Sequence, residues 1–412
     1  MMKWPEVKFS KVVEKFISGG TPSTHSKEYW EGNIPWITGA DFSDREIILG
    51  RRYINHDAVN NSATNIVPKN SIVMVTRTGV GKIGIAKEDM AISQDITGII
   101  LKDKVNIKYI CFAISNKMSV LNSLQRGATI KGITRNDIAN LFLPLPPLSE
   151  QCRIVEILDQ ADHLRKMRIE ADKKAERILP ALFIKMFGDP AANPKGWPVV
   201  PISEMVVGPE RTNPGQSPDK PFKYIDIAGV DGYTGQITEA KSLVGAGAPS
   251  RARQVVFEND VIISTVRPYL RATAVVPKEY DNQVCSTGFC VLRTRSRIGF
   301  GYLYALTRLQ WFTNQLNSRA RGASYPAVSD QDILNLRVPL PDNENIMKKF
   351  DLCLLDILSL KDKKAISYEK INFLFDIILH RAFSGDLTAS WRQAHMKELL
   401  QEMETQVKAL AS

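Results

Sequence analysis

RGATIKGITRNDIANLFLPLP at residues 126–146 and RGASYPAVSDQDILNLRVPLP at residues 321–341 are two copies of one segment. At an offset of 195 they agree at 10 of 21 positions. The matches are Arg126/Arg321, Gly127/Gly322, Ala128/Ala323, Asp137/Asp332, Ile138/Ile333, Asn140/Asn335, Leu141/Leu336 and the Pro-Leu-Pro at 144–146 and 339–341. Weaker echoes surround this pair. WPEV at 4–7 returns as WPVV at 197–200, SIVMVT at 71–76 parallels DVIIST at 260–265, and MFGD at 186–189 parallels FSGD at 383–386. Self-similarity at a fixed spacing marks a repeated structural unit, so the chain is read as two copies of about 195 residues.

Each copy divides into the same two parts. Residues 1–148 and 190–343 mix short apolar runs (SIVMV, TGIILK, VIISTV, FCVLR) with Gly, Pro, Asn and Asp punctuation. Each closes on a helical stretch, KYICFAISNKMSVLNSL or GYLYALTRLQWFTNQL. This pattern predicts an α+β globular domain in each copy. LPLPPL and VPLPDN should end it, because proline stops both helix and sheet.

Residues 149–189 and 344–386 predict one long helix each. Apolar or small residues fall at Ile154, Ile157, Ala161, Leu164, Ala171, Ala175, Ile178 and Leu182 in the first. In the second they fall at Met347, Phe350, Leu354, Ile357, Tyr368, Ile371, Phe375, Ile378 and Ala382. Alternating steps of three and four define a coiled-coil seam, here interrupted by Arg168, Lys361 and Lys364. Pro180 should kink the first helix near its end. Because both copies carry the same seam, pairing as an antiparallel coiled coil about a pseudo-two-fold axis is favoured over separate docking. Residues 387–412 read as a C-terminal helical tail.

The composition fits this plan. The 412 residues are 44% hydrophobic and 24% charged, which excludes wholesale disorder. No stretch approaches the ~18 uninterrupted apolar residues of a membrane span, and the N-terminus lacks the apolar core of a secretory signal. The expected location is the cytoplasm, with no membrane partner. Five cysteines without a CxxC pair fit buried thiols in a reducing compartment better than disulfides or zinc.

The net charge of +10 favours a polyanionic partner. Residues 251–321 concentrate it, with eleven basic side chains, ten of them Arg, against four acids. Arg forks bidentately onto phosphates and onto guanine edges. Catalytic signals are missing. GVGKIG at 79–84 matches a dinucleotide-binding pattern, but the second copy puts VRPYLR there, so a hairpin turn is the better reading. No Ser/His/Asp set, no metal set and no Asn/Asp-Pro-Pro-aromatic tetrad of amino-methylating enzymes is visible. The chain reads as a binding protein.

At this point the chain resembles the specificity subunits of type I restriction–modification systems. The RGA…DI.NL..PLP segments carry the resemblance, with the long helix after each and HRAFSGDLTASWR at 380–392. The resemblance implies two target-recognition domains, at 1–148 and 190–343, each reading half of a bipartite double-stranded DNA site. It implies that the conserved helical regions at 149–189 and 344–386 bind two methyltransferase subunits. Those subunits would methylate adenine with S-adenosylmethionine, with restriction/translocase subunits as further optional partners. The chain itself would hold no cofactor and be non-catalytic.

Geometry agrees with that expectation. A helix over 149–187 spans about 58 Å, on the order of 17 base pairs, enough to separate two half-sites. Because the two domains differ in sequence, the site should be asymmetric. Candidate DNA contacts come from basic loops that recur in both copies. They are Thr21, Arg77, Thr78, Lys82, Gln94, Lys131 and Thr134 in the first, and Arg251, Arg253, Arg267, Tyr269, Arg271, Arg321 and Tyr325 in the second. SGGTPS at 18–23 is a candidate phosphate loop. Two rivals stand beside this reading: a scaffold that joins partners through its coiled coil without touching nucleic acid, and a stand-alone DNA-modifying enzyme.

Overall fold

The computed structural model describes residues 4–42, 46–47, 50–127 and 131–411. Ala128 of the repeated segment and the side chains of Lys361 and Lys364 lie outside the described part. The chain forms two compact units, Met1–Met167 with Tyr368–Ser412, and Arg168–Ser367. Each unit therefore joins one α+β domain to the start of the helix that follows it and to the end of the helix from the other copy. Among the described residues no helix is long and apolar enough to cross a membrane.

The duplication holds at the level of sheet topology. In the first unit Val13–Ser18, Ile96–Leu101, Ile72–Val75 and Ile83–Ala86 lie side by side in that order, with Glu46–Ile47 at the edge. The second unit repeats the order with Val206–Val207, Phe289–Thr294, Val261–Ser264 and Thr273–Val275. A second four-stranded sheet also recurs. Arg52–Ile54, Ile34–Ile37, Met90–Ile92 and Asn65–Val67 correspond to Lys241–Val244, Pro221–Ile225, Gln283–Ser286 and Ala252–Val256. Its central pair is parallel in both units.

The unbroken apolar runs follow from this layering. Ile72 and Met74 pack with Tyr109, Ile110 and Ala113 of the helix Ile107–Asn116, while Val73 and Val75 pack with Val67 and Ile92 of the second sheet. In the second unit Val261 and Ile263 face the helix Phe300–Arg308, and Ile262 faces Ile225 and Val256. A strand covered on both faces has no reason to alternate with polar residues.

The repeated motif is a fold motif. Thr134 and Ser329 each cap a short helix, accepting from the N–H of Asp137 or Asp332 while that carboxylate accepts in return. These hydrogen bonds hold both carboxyls below the usual Asp range. Ile138 and Ile333 are fully buried, and Leu141 and Leu336 nearly so. The Pro-Leu-Pro segments differ from expectation. Instead of ending all sheet structure, Phe142–Pro144 and Arg337–Pro339 pair antiparallel with Glu6–Lys8 and Val199–Pro201, the sites of the WPEV and WPVV echoes. Proline is tolerated because each ribbon has only two strands, leaving an edge that needs no N–H. Tyr109 and Tyr302 then donate to the carbonyls of Pro144 and Pro339.

The first long helix is broken rather than kinked. Leu148–Ala175 ends before a second segment, Ile178–Phe187. Pro180 has no N–H for the Glu176 carbonyl, and its ring crowds that turn. The second long helix, Glu344–Ser384, is continuous. Both stop at a glycine with positive φ, Gly188 at 89° and Gly385 at 86°, which places the MFGD/FSGD echo at two helix ends. Of the cysteines, Cys111, Cys285 and Cys290 are buried as expected, whereas Cys152 is exposed.

In the second unit the half-buried Asp351 accepts from the N–H of Gly301, 2.8 Å away in the first turn of Phe300–Arg308. Burial outweighs that hydrogen bond and pushes its carboxyl up to about 6. A raised carboxyl pKa means the fold prefers the protonated form, so stability falls as pH rises from about 4 through about 6. Asp351→Asn keeps an acceptor for Gly301 and removes the charge. The variant should be more stable than the parent at pH 7 by about 1 kcal/mol, after discounting for solvent screening. The difference should vanish below pH 4 in paired thermal melts.

Candidate nucleic-acid interface

In the first unit the loop after Ile72–Val75 meets the repeated segment. Arg77 and Arg126 both bridge to Gly132, and the Thr78 N–H donates to the Lys131 carbonyl. The adjoining cleft, about 660 Å³, is lined by Arg77, Gln94, Asp95, Arg126, Thr134 and Arg135 among others. Three guanidinium groups against one lining carboxylate make it a basic groove, suited to a phosphate backbone.

The second unit builds the same junction from different side chains. Val266 and Arg321 bridge to Ala327, and the Arg267 N–H donates to the Pro326 carbonyl at 2.7 Å. Arg267 and Arg271 bracket the turn Pro268–Leu270, and both have left-handed backbones, φ 50° and 52°. The Arg267 guanidinium lies 4.5 Å from the Tyr325 ring centroid. Tyr325 is 68% exposed, and Tyr269 and Leu270 also face solvent.

The structure thus brings Arg77, Thr78, Gln94, Lys131 and Thr134 together, and likewise Arg267, Tyr269, Arg271, Arg321 and Tyr325. Several are engaged within the fold. The Thr134 hydroxyl is occupied by its capping box, so its role is structural. Thr21 donates to the Gln94 side chain, and Lys82 donates to the Gly39 carbonyl at 2.7 Å. Arg271 donates to Gln310, Arg321 approaches Asp332 at 3.8 Å, and Arg253 folds onto the Ala252 carbonyl. Arg251 is exposed beside it. The phosphate-loop reading of SGGTPS is corrected. The Gly20 N–H donates to the Ile92 carbonyl, and a Cβ on Gly19 would lie 1.9 Å from the Ser93 carbonyl oxygen. Those glycines are there for close backbone packing. Sequence reasoning missed Arg126 and Arg135, although Arg126 opens the repeated segment.

The arginine-rich window also proves partly structural. Arg293 is paired with Asp260 at 2.9 Å, and Arg308 donates to the carbonyls of Gly232 and Tyr233. Neither is available to a ligand.

The helix seam is present but differently phased. In the first unit Ile154, Val155 and Leu158 are buried, with Ala161, Phe375, Ile378 and Ala382 in the same core. Contacts move back along the chain as they ascend the first helix: Glu150 meets Thr388, just past the end of the second helix, and Arg165 lies over Phe375 within it. The two segments therefore run antiparallel. In the second unit Leu179, Phe183 and Phe187 pack with Met347, Phe350 and Leu354, with Leu182 and Ile357 at the margin. Leu164 and Ile178 are corrected: they are 62% and 52% exposed. At 3.6 residues per turn the buried stripe drifts from a strict 3.5 repeat, which moves burial to Leu158 and Leu179. Ile157 and Ile371 are half-buried.

Residues 1–178 match the family model described as the type I restriction modification DNA specificity domain. Along its length the chain is similar to specificity subunits of type I restriction–modification systems. It is 30% identical over 221 residues to the MjaIX specificity subunit of Methanocaldococcus jannaschii, covering 49% of this chain and 51% of that one. The chain thus spans about half the length of that relative. It is 23% identical over 398 residues to the MjaVIII specificity subunit of the same organism, covering 89% of each. The crystal structure of the type I restriction-modification S subunit from M. genitalium aligns over 93% of this chain and 96% of that one. The TM-score is 0.55 at 14% identity, a likeness of fold.

Proposed function

We propose that this chain is the DNA-reading component of a type I restriction–modification complex. Each recognition domain reads one half of an asymmetric bipartite site on double-stranded DNA. The helices dock two methyltransferase subunits, which bring S-adenosylmethionine and methylate adenine; restriction/translocase subunits are further partners in a complex that also cleaves. The chain itself catalyses nothing and works in the cytoplasm. One observation carries the reading: the same loop junction is built twice, on the same topology, from different side chains. A scaffold would have no use for two such surfaces. The two half-sites should differ because Arg77, Thr78 and Lys131 in one junction stand where Val266, Arg267 and Pro326 stand in the other.

Sequencing of methylated adenines in cells with and without the gene tests this. The expected result is one bipartite, non-palindromic motif, methylated only when the gene is present. Identical methylation in the two strains would overturn it.

A further inference from the structure

We infer that the left-handed residue after the central hairpin strand is the base-reading position of each recognition domain, Thr78 in the first and Arg267 in the second, and that Arg267 reads a guanine. The inference rests on the DNA-reading role proposed above and assigns it to one backbone position per copy.

The two positions are structurally equivalent. SIVMVT and DVIIST begin at 71 and 260, and the same offset of 189 relates Thr78 to Arg267. Their φ angles are 49° and 50°. Each donates its N–H to the residue just before the bridging residue, Lys131 before Gly132 and Pro326 before Ala327. The repeat has kept this backbone conformation, and the bridging arginine Arg126/Arg321, while the residue at the position itself and its bridging neighbours differ: Arg77, Thr78 and Lys131 against Val266, Arg267 and Pro326.

That conformation is costly for the residues that adopt it. A non-glycine residue at positive φ is uncommon, and a β-branched one such as Thr is an outlier. A turn alone would be served by glycine, which stands next door at Gly79. Strain held at the same place in both copies, on different side chains, fits a position whose side chain must project from a fixed platform.

Arg267 also differs from its neighbours. Arg253, Arg271, Arg293, Arg308 and Arg321 are engaged by partners within the fold. The Arg267 Nε is buried without a hydrogen-bond partner, and its Nη atoms make no hydrogen bond among the described residues. The guanidinium lies over the Tyr325 ring, 4.5 Å from its centroid, a cation–π contact that narrows where the fork can point. A planar fork seated over an aromatic ring, with its outer donors free, matches the paired O6 and N7 acceptors of guanine in the major groove.

The test uses the full chain in complex with its methyltransferase subunits and maps the methylated motif. Arg267→Lys keeps the charge, and Arg267→Gly keeps the left-handed backbone at least cost. Both should make one G·C position degenerate in one half-site, with discrimination falling roughly tenfold to a hundredfold, while the other half-site is unchanged. Thr78→Gly should relax a position in that other half-site. An unchanged motif for Arg267→Lys would overturn the inference. So would a loss equal across all sequences, the mark of a phosphate contact. If the unmodified complex methylates no bipartite motif, the DNA-reading role falls and takes this inference with it. A normal motif in the unmodified complex, retained by the variants, sinks this inference alone.

Discussion

Arg392→Ala should destabilise the first unit by about 3–5 kcal/mol, the range for breaking a buried ion pair from one side. Glu150 is 0% exposed and Arg392 3%. The carboxylate accepts from Arg392 Nε at 2.9 Å and Nη2 at 2.7 Å, from Thr388 Oγ1 at 2.6 Å and from Trp4 Nε1 at 2.6 Å. Without the guanidinium, Thr388 and Trp4 still donate, but the charge has no counter-ion in a medium that solvates it poorly. Arg392→Lys should recover only part of the loss, because an ammonium cannot fork onto both carboxylate oxygens. Glu150→Gln with Arg392→Met removes both charges and should come much closer to the parent. Thermal and denaturant unfolding of the full chain measures all three. A loss below about 1 kcal/mol for Arg392→Ala would show that the pair is not what anchors the tail.

The tail does more than pair one charge. Ser149, in the first turn of Leu148–Ala175, donates through its N–H to Glu402 at 3.0 Å, and Gln406 donates to the Lys104 carbonyl. A carboxylate at the start of a long helix is favoured by the helix dipole. The tail beyond the second copy thus closes the first unit, a role its sequence did not disclose.

What was legible in the sequence follows from where the repeat puts its identities. Asp137/Asp332 make helix caps, Ile138/Ile333 and Leu141/Leu336 fill cores, and Pro144/Pro339 end ribbons. These residues set the fold, so matching them revealed it. The phase of the seam was less legible, because spacing alone does not say which neighbour of an apolar residue faces inward. Leu158 and Leu179 took the places expected of Ile157 and Ile178. The contact residues were the least legible. Arg267, Arg293 and Arg308 look alike in the sequence, and only tertiary partners separate the free fork from the two engaged ones. Nor does sequence display φ, so the paired strain at Thr78 and Arg267 stayed hidden.

A fragment of residues 1–189 should dimerise weakly, and Glu150→Gln should tighten that dimer about a hundredfold. Alone, the fragment exposes Ile154, Val155 and Leu158, which the native first unit covers with Phe375, Ile378 and Ala382. Its own C-terminal segment offers a substitute. Phe187 packs on Tyr302 at 4.9 Å in the second unit, as Phe383 packs on Tyr109 at 5.4 Å in the first. Phe187 of one fragment can therefore occupy the Phe383 place on another, and the exchange is reciprocal, giving a symmetric dimer. No counterpart of Thr388 or Arg392 comes with it, since the fragment ends at Gly188 and Asp189. Each protomer would bury Glu150 as an unpaired charge. Glutamine at 150 keeps an acceptor and removes that charge. Relief of about 1.4 kcal/mol at each of two sites is a factor of about 100 in the dissociation constant. Sedimentation equilibrium of the two fragments reads the difference directly. Equal dissociation constants would show that Glu150 is solvated in the dimer. Two monomeric fragments would show that the end of the first helix cannot replace the end of the second.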